Sequence, residues 1–326
     1  MQNTFSIIIP AYNSSRTIAK TIEACLNQDV LEIPEIIVVD DGSSDNTKAI
    51  IKNYPVKYLY QGNAGPATAR NRGWKNAQGS IICFTDSDCI PEKNWIKKIS
   101  LKFEDSSIAA VGGSYEIANS RNLLADCIHQ EIVFRHTKIP EDVNYLGSFN
   151  VAYRKDILVK TGGFDESFKM ASAEDNDLSY RVKNLKYKLV FDNNIKVSHF
   201  HPEKLGNYLK SQFWHGFWRV KLYKKHATMA KGDHYAGFLD LIQPPLALLS
   251  LALLPFVFIG NIAFLVISLL LFIFLLQLPL SLRISLKLKD IKYIHLSLVS
   301  FLRVFARALG LLLGLTRLIN FKADEK

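Results

Sequence analysis

The chain reads as an α/β domain with a Rossmann-like, mostly parallel sheet, followed by a C-terminal membrane-associated helical region. Three observations carry that reading. Over the first two hundred of the 326 residues, short apolar runs alternate with amphipathic stretches, the pattern of βαβ units. Acidic turns follow apolar runs at Val39-Asp40-Asp41-Gly42-Ser43 and Phe84-Thr85-Asp86-Ser87-Asp88, and Glu174-Asp175 opens a helical pattern. Residues 1–202 balance their charges, so the formal net charge of +10 resides in the apolar remainder.

Strand candidates are Phe5–Ile9, Glu35–Val39, Val56–Tyr60 and Ile81–Thr85, with helices near Thr17–Gln28, Asn46–Asn53 and Thr68–Asn76 between them. The Ile and Val runs are apolar on both faces, as parallel strands covered on each side require. Ile108–Gly112 and Tyr145–Tyr153 read as later strands, and Asn122–His136 and Asp175–Asn184 as helices. Ligands of open α/β sheets bind outside the carboxyl ends of the strands, so the acidic turns are expected to converge on one edge. Carboxylates gathered there repel one another unless a cation intervenes, and a divalent metal carrying a nucleotide diphosphate fits that need.

The four cysteines, Cys25, Cys83, Cys89 and Cys127, show no metal-ligand or secretory spacing and read as small buried residues in a reducing compartment. No secretory signal is seen before the first strand, so the catalytic part is expected on the cytoplasmic face of the cytoplasmic membrane. A basic, apolar C-terminal part points to an anionic membrane surface and not to nucleic acid.

That part divides by pattern, after a catalytic domain over 1–202. Residues 203–235 mix Tyr208, Trp214 and Trp218 with Lys210, Arg219 and Lys221, which suits an amphipathic helix at headgroup level. Residues 236–282 contain the apolar stretches Pro244–Gly260 and Ile262–Leu280. Each is close to the roughly 20 residues of a spanning helix, and charges on the outer flanks alone predict a hairpin with both ends cytoplasmic. Residues 283–326 carry Arg303, Arg307 and Arg317 within a leucine-rich helical pattern. Since a charge at mid-bilayer costs about 2.5–3.5 kcal/mol on insertion scales, this segment is expected to be a basic helix and tail lying in the interface.

The chemistry-bearing residues follow the strands. Ser6 to Asn13 is a first strand running into an edge loop, with Pro10 and Tyr12 as donor-binding candidates. Asp40 and Asp41 can accept hydrogen bonds from a base or ribose; the alternative is a plain turn with Ser44 or Asp45 capping the next helix. Gly62 to Gly73 opens a helix whose Arg70 and Arg72 can pair with a diphosphate or remain surface arginines. In Asp86-Ser87-Asp88, extended geometry points both carboxylates to one side, a donor set for Mg2+ or Mn2+. His199 and His201 follow a further strand, and His199 is the candidate to complete the metal shell.

From Phe5 to about Arg181 the order of motifs resembles the family 2 glycosyltransferases. The likeness rests on the opening strand, Asp-Asp-Gly-Ser at 40–43, Gly-Pro-Ala-x-Ala-Arg-Asn-x-Gly at 65–73, Asp-x-Asp at 86–88, Gly-Gly-Phe-Asp-Glu at 162–166 and Glu174-Asp175. The resemblance implies a GT-A fold and an inverting transfer from a nucleotide-sugar, usually a UDP-sugar, with Mn2+ or Mg2+ as cofactor. It implies that Asp175 is the base, that Asp40, Asp41 and Asp86 serve the donor, and that Asp88 serves the metal. Gln212-Phe213-Trp214-His215-Gly216 stands where processive members carry Gln-x-x-Arg-Trp. The departure points to a single addition on a lipid-linked or membrane-proximal glycan acceptor in cell-surface glycan synthesis. The competing readings are a nucleotidyltransferase of similar fold, which would release pyrophosphate, and a non-catalytic membrane assembly or binding protein.

Overall fold

The computed structural model describes residues 3–228 and 237–324. The expected limit between the interfacial segment and the hairpin, at residues 235 and 236, lies outside the described residues. The chain divides into two compact units: Met1–Ala118 with His136–Phe200, and Asn119–Arg135 with His201–Lys326. The assignment of 119–135 to the second unit interrupts the expected 1–202 domain, and the sequence pattern carries no sign of that excursion.

The first unit begins with β1 (Phe5–Ala11), α1 (Ile18–Leu26), β2 (Glu35–Asp41), α2 (Thr47–Ile51), β3 (Lys57–Gln61), α3 (Pro66–Lys75) and β4 (Ile81–Thr85). β5 (Cys89–Pro91), α4 (Trp95–Lys102) and β6 (Ile108–Ile117) follow, then α5 (Leu123–His136), most of which belongs to the second unit. β7 (Asn150–Arg154), α6 (Lys155–Thr161), α7 (Glu174–Asn184) and β8 (Lys188–His199) complete it. Successive β1 residues alternate between faces: Ile7 and Ile9 join an apolar cluster with Ile18, Ile22 and Ile96. Ile8 joins the opposite cluster with Ile37, Trp74 and Phe84. Burial on both faces is what the unbroken apolar runs required.

The eight strands are ordered β3-β2-β1-β4-β7-β6-β8-β5. Pairing is parallel for β1 with β2 and β4, for β2 with β3 and for β6 with β8. β7 runs antiparallel to both β4 and β6, and β5 antiparallel to β8, which makes the sheet mixed. β7 is also shorter than the expected Tyr145–Tyr153, because a turn closed by Asn150 N on the Gly147 carbonyl (3.3 Å) precedes it. The order β3-β2-β1-β4 has its crossover point between β1 and β4, where such sheets open a ligand crevice.

The second unit adds α8 (Leu205–Lys225), α9 (Phe238–Leu253), α10 (Ile262–Leu275), α11 (Leu278–Leu288) and α12 (His295–Asp324). Among the described residues, three stretches, Leu239–Phe256, Ile262–Leu288 and Ile291–Arg317, are long and apolar enough to cross a membrane. The last contains all three of the arginines that set it apart in the sequence. Arg303 is 8 % exposed and donates to Glu131 Oε2 at 2.6 Å and to the Tyr208 hydroxyl at 3.2 Å. Arg307 donates through Nε to Gln212 Oε1 at 2.9 Å.

Helices α8 and α12 approach closely enough that glycine is needed at the contact. A Cβ on Gly310 would lie 1.9 Å from the Phe213 carbonyl oxygen, and one on Gly216 2.1 Å from that of Arg307. Neither oxygen can yield without moving a helix. Gly310→Val is therefore expected to destabilise the full-length protein by about 1–3 kcal/mol, the usual cost of overpacking. Thermal unfolding in detergent measures it, and an unchanged midpoint would contradict the packing.

Candidate active site

The loops after β1, β2 and β4 interlock at their carboxyl ends. Asn13 donates its backbone N–H to Ser43 Oγ at 2.9 Å, and its side-chain oxygen accepts from Ser44 N at 2.8 Å. Ser14 Oγ meets Ser87 Oγ at 2.7 Å, which ties the first loop to the Asp86-Ser87-Asp88 turn. Gly42, with φ of +79°, supplies the left-handed turn that brings this loop round. The edge is thus preorganised by backbone and short side chains, with Tyr12 left 53 % exposed upon it and Pro10 partly buried beneath.

Asp40 and Asp41 end β2 and are buried. Asp40 accepts from Ser43 N at 2.9 Å and from the Tyr58 hydroxyl at 2.9 Å. Asp41 accepts from Gln61 Nε2 at 2.8 Å, Ala64 N at 2.9 Å and Gly65 N at 2.9 Å. Asp41 is thus the fastening of the glycine loop that opens α3, while Asp40 closes the turn after β2.

Arg70, expected near a diphosphate, is placed differently. It is 1 % exposed, with Nη2 on Asp86 Oδ1 and Nη1 on Glu174 Oε1, both at 2.8 Å. One guanidinium therefore joins the end of β4 to the start of α7. Arg72, two residues on, lies on the exposed side of α3, away from this pair. Glu174 also accepts from Ser172 N at 2.8 Å and Ala173 N at 3.0 Å, so its carboxylate is fully occupied in holding the helix start.

Asp175 is the next residue, and its carboxylate accepts from Asn176 N at 2.8 Å and Ser148 N at 3.3 Å. Burial first, then the adjacent Glu174 charge, push its pKa up to about 7, against the opposing pull of Arg70. A carboxyl that exchanges its proton near neutrality is suited to general-base work.

Asp88 and His199 face each other across the β5–β8 pairing, with Asp88 Oδ2 and His199 Nε2 3.4 Å apart. Burial alone would raise Asp88, but His199 outweighs it and holds the carboxyl below its usual value. For His199, burial pulls down and Asp88 outweighs it, leaving the imidazole above its usual value. Asp86 is raised, chiefly by burial and further by Asp88, with Arg70 offsetting part of this. The acidic turn thus holds more negative charge than Arg70 neutralises, which favours a bound cation.

Asp88, Cys89 and His199 place ligand atoms within 4.8 Å of one another. The carboxylate suits Mn2+ or Mg2+, and the imidazole nitrogen beside it favours Mn2+ of the two. The Cys89 thiol is pushed far up by burial and by both aspartates, and a soft sulfur is a poor match for either of these hard ions. Tyr115 stacks on Phe149 with ring centroids 3.6 Å apart and lies 5.1 Å from His199. Tyr115 lies within β6, near its end, without any motif around it, and sequence reasoning missed it. His201 belongs to the second unit, where its carbonyl accepts from Asn119 Nδ2 at 2.8 Å.

An α/β sheet of this order, with carboxylates gathered at its carboxyl edge, is of the GT-A class. Residues 6–160 match the model of glycosyl transferase family 2. The chain is similar to the probable glycosyltransferase YdaM of Bacillus subtilis, 29 % identical over 73 % of this chain and 57 % of that protein. It thus spans little more than half of that relative. Glycosyltransferase AglE of Haloferax volcanii is 27 % identical over 67 % of this chain and 73 % of its own length. Among solved structures, the mannosyltransferase PcManGT of Pyrobaculum calidifontis, in complex with GDP-Man and Mn2+, superposes with a TM-score of 0.64. That match covers 96 % of this chain and 88 % of the other at 17 % identity, a likeness of fold. The matched residues, just under half of the chain, set it beside glycosyl transferase family 2.

Replacing Arg70 leaves two facing carboxylates without their cation. Arg70→Met is expected to cost about 3–5 kcal/mol, the range for removing one member of a buried pair. Thermal unfolding of the full chain reads it, and a midpoint within experimental error of the parent would refute the bridge.

Proposed function

We propose that the protein transfers a sugar, with inversion, from a nucleotide-sugar, in first place a UDP-sugar, to a hydroxyl of a lipid-linked or membrane-proximal acceptor. The observation that carries this reading is Asp175: a carboxyl poised near neutrality and fixed, through Glu174 and Arg70, to the acidic turn at Asp86. The acceptor oxygen bonds to the anomeric carbon as the bond from that carbon to the diphosphate breaks. The acceptor proton passes to an Asp175 carboxylate oxygen, and the nucleoside diphosphate departs with the bonding pair. Asp175 sits opposite the leaving group in this assignment, as single displacement requires.

Donor binding is assigned to the interlocked edge, with Tyr12 available to stack on a base and Pro10, Asp40 and Asp41 shaping the floor. Asp86 acts next to the diphosphate, and Arg70 positions Asp86 and Glu174. Asp88 and His199 would hold Mn2+ or Mg2+, which when bound stabilises negative charge on the departing diphosphate as a Lewis acid. The membrane arrangement we adopt keeps residues 203–235 interfacial, 236–282 spanning as a hairpin, and the catalytic unit on the cytoplasmic face. Such an enzyme serves cell-surface glycan synthesis by working where lipid-linked acceptors present their hydroxyls.

The test is nucleoside-diphosphate release from UDP-, GDP- and dTDP-sugars by the protein in lipid, with a membrane lipid extract as acceptor source. Asp175→Asn is expected to lower kcat by about 10²–10⁴-fold, the usual worth of a general base, with donor binding retained. Because a protonated Asp175 cannot accept the proton, kcat/KM is expected to fall on the acid side of about pH 7, roughly tenfold per pH unit. A rate that stays flat down to pH 5 would rule out Asp175 as the base.

His199→Ala removes one proposed ligand atom and leaves Asp88. It is expected to raise the Mn2+ concentration needed for half-maximal rate by about 10-fold or more, while chelation abolishes release in the parent protein. Metal titration of the two proteins decides it, and coincident titration curves would take His199 out of the shell.

A further inference from the structure

Within the second unit, α5, α8, α9 and α12 enclose a cavity of about 130 Å³, many times the roughly 10–15 Å³ that admits one water. Its lining carries four arginines, Arg135, Arg219, Arg303 and Arg307, against two carboxylates, Glu131 and Asp240. The carboxylates are already engaged. Arg135 forks onto Asp240 with bonds of 3.0 and 3.1 Å and reaches Glu131 Oε1 from Nε at 3.1 Å. Arg303 takes the other Glu131 oxygen at 2.6 Å. Burial would raise Glu131, yet these arginines hold it at about 2, so it stays ionised and its charge is matched within the network.

Arg307 is in a different position. Its Nε donates to Gln212 Oε1, and its two terminal nitrogens make no hydrogen bond among the described residues. An arginine in so apolar a helix is costly unless it has an anionic partner. The fork of an arginine matches phosphate oxygens, and basic pockets between membrane helices take phosphate headgroups. The rest of the lining sets the apolar side chains of Leu241, Pro244 and Leu311 beside His215 and Tyr223. Nearby Leu239 and Leu312 are exposed on α9 and α12, on stretches long and apolar enough to cross a membrane. A headgroup in the cavity would therefore have apolar surface beside it for an acyl or prenyl chain.

We propose that this cavity binds the dianionic phosphate headgroup of a lipid, with Arg307 as its principal ligand. Two positive charges in excess across the lining match a phosphate monoester, which carries close to two negative charges above pH 7, better than a phosphodiester with one. The assignment does not depend on the transfer reaction, and its test needs no sugar donor.

The experiment uses the full-length protein in phosphatidylcholine nanodiscs at pH 8, titrated with fluorescent phosphatidic acid, with phosphatidylglycerol and inorganic phosphate as competitors. Phosphatidic acid is expected to bind at least about tenfold more tightly than phosphatidylglycerol, and inorganic phosphate to compete only weakly. Arg307→Gln is expected to weaken phosphatidic acid binding by about tenfold or more, the scale of one charge-assisted hydrogen-bond pair. Arg307→Lys, which keeps the charge without the fork, should fall between the two, and all three proteins should share one thermal midpoint in neutral lipid. Equal binding of phosphatidylglycerol would overturn the dianion assignment. Competition by inorganic phosphate at comparable affinity would overturn the lipid assignment. Unchanged binding by a folded Arg307→Gln protein would overturn the site itself.

Discussion

The guanidinium of Arg70 is the point from which the catalytic geometry is set. It lies on α3, a helix packed so near β1 that a Cβ on Gly73 would meet the Ile8 side chain at 2.2 Å. The position of Arg70 is therefore fixed by the central strand and not by the loops around the site. From there its two arms fix Asp86 and Glu174, and through their chain neighbours Asp88 and Asp175. Ion pairs of this depth add little net stability compared with an apolar core. What this one supplies is registration between a strand end and a helix start that lie far apart in the chain. Glu174, Asp175 and Asp177 all sit in the first turn of α7, where the helix dipole favours them, so the arginine need not hold them alone.

The parallel half of the sheet was legible because β1, β2 and β4 are apolar on both faces and end in turns with little structural alternative. β7 and β5 were less so. A five-residue strand such as Asn150–Arg154 carries no mark of its direction, which depends on β4 and β6 closing around it. The three-residue β5 is a strand only because β8 pairs with it. In the site, the acidic turns pointed to a common edge, and Asp88 and His199 do meet. The role of Arg70 was hidden, since its partners are 16 and 104 residues away and nothing local distinguishes a bridging arginine from a phosphate-facing one. Tyr115 escaped notice for the same reason: its stacking on Phe149 joins two segments distant in the chain.

The segment at 212–216 gains a physical meaning from the second unit. Gln212 accepts from Arg307, and Gly216 sits against the Arg307 carbonyl. A tryptophan at 216, as in the processive relatives whose motif this segment resembles, has no room beside α12. The departure from that motif is thus bound up with the way the last helix packs, and a change at one of these positions demands a change at the other.

The Glu131–Arg303 pair has a consequence for how the protein is made. Its members are 172 residues apart. At roughly 5–20 residues per second, the carboxylate leaves the ribosome on the order of 10–30 seconds before its arginine. During that interval α5 carries a charge whose final partner does not yet exist, so the second unit cannot be closed in the order of its synthesis. Assembly of this half must wait for the last helix, and a chain stalled before residue 303 would expose an unfinished polar seam to whatever quality control surveys nascent membrane proteins.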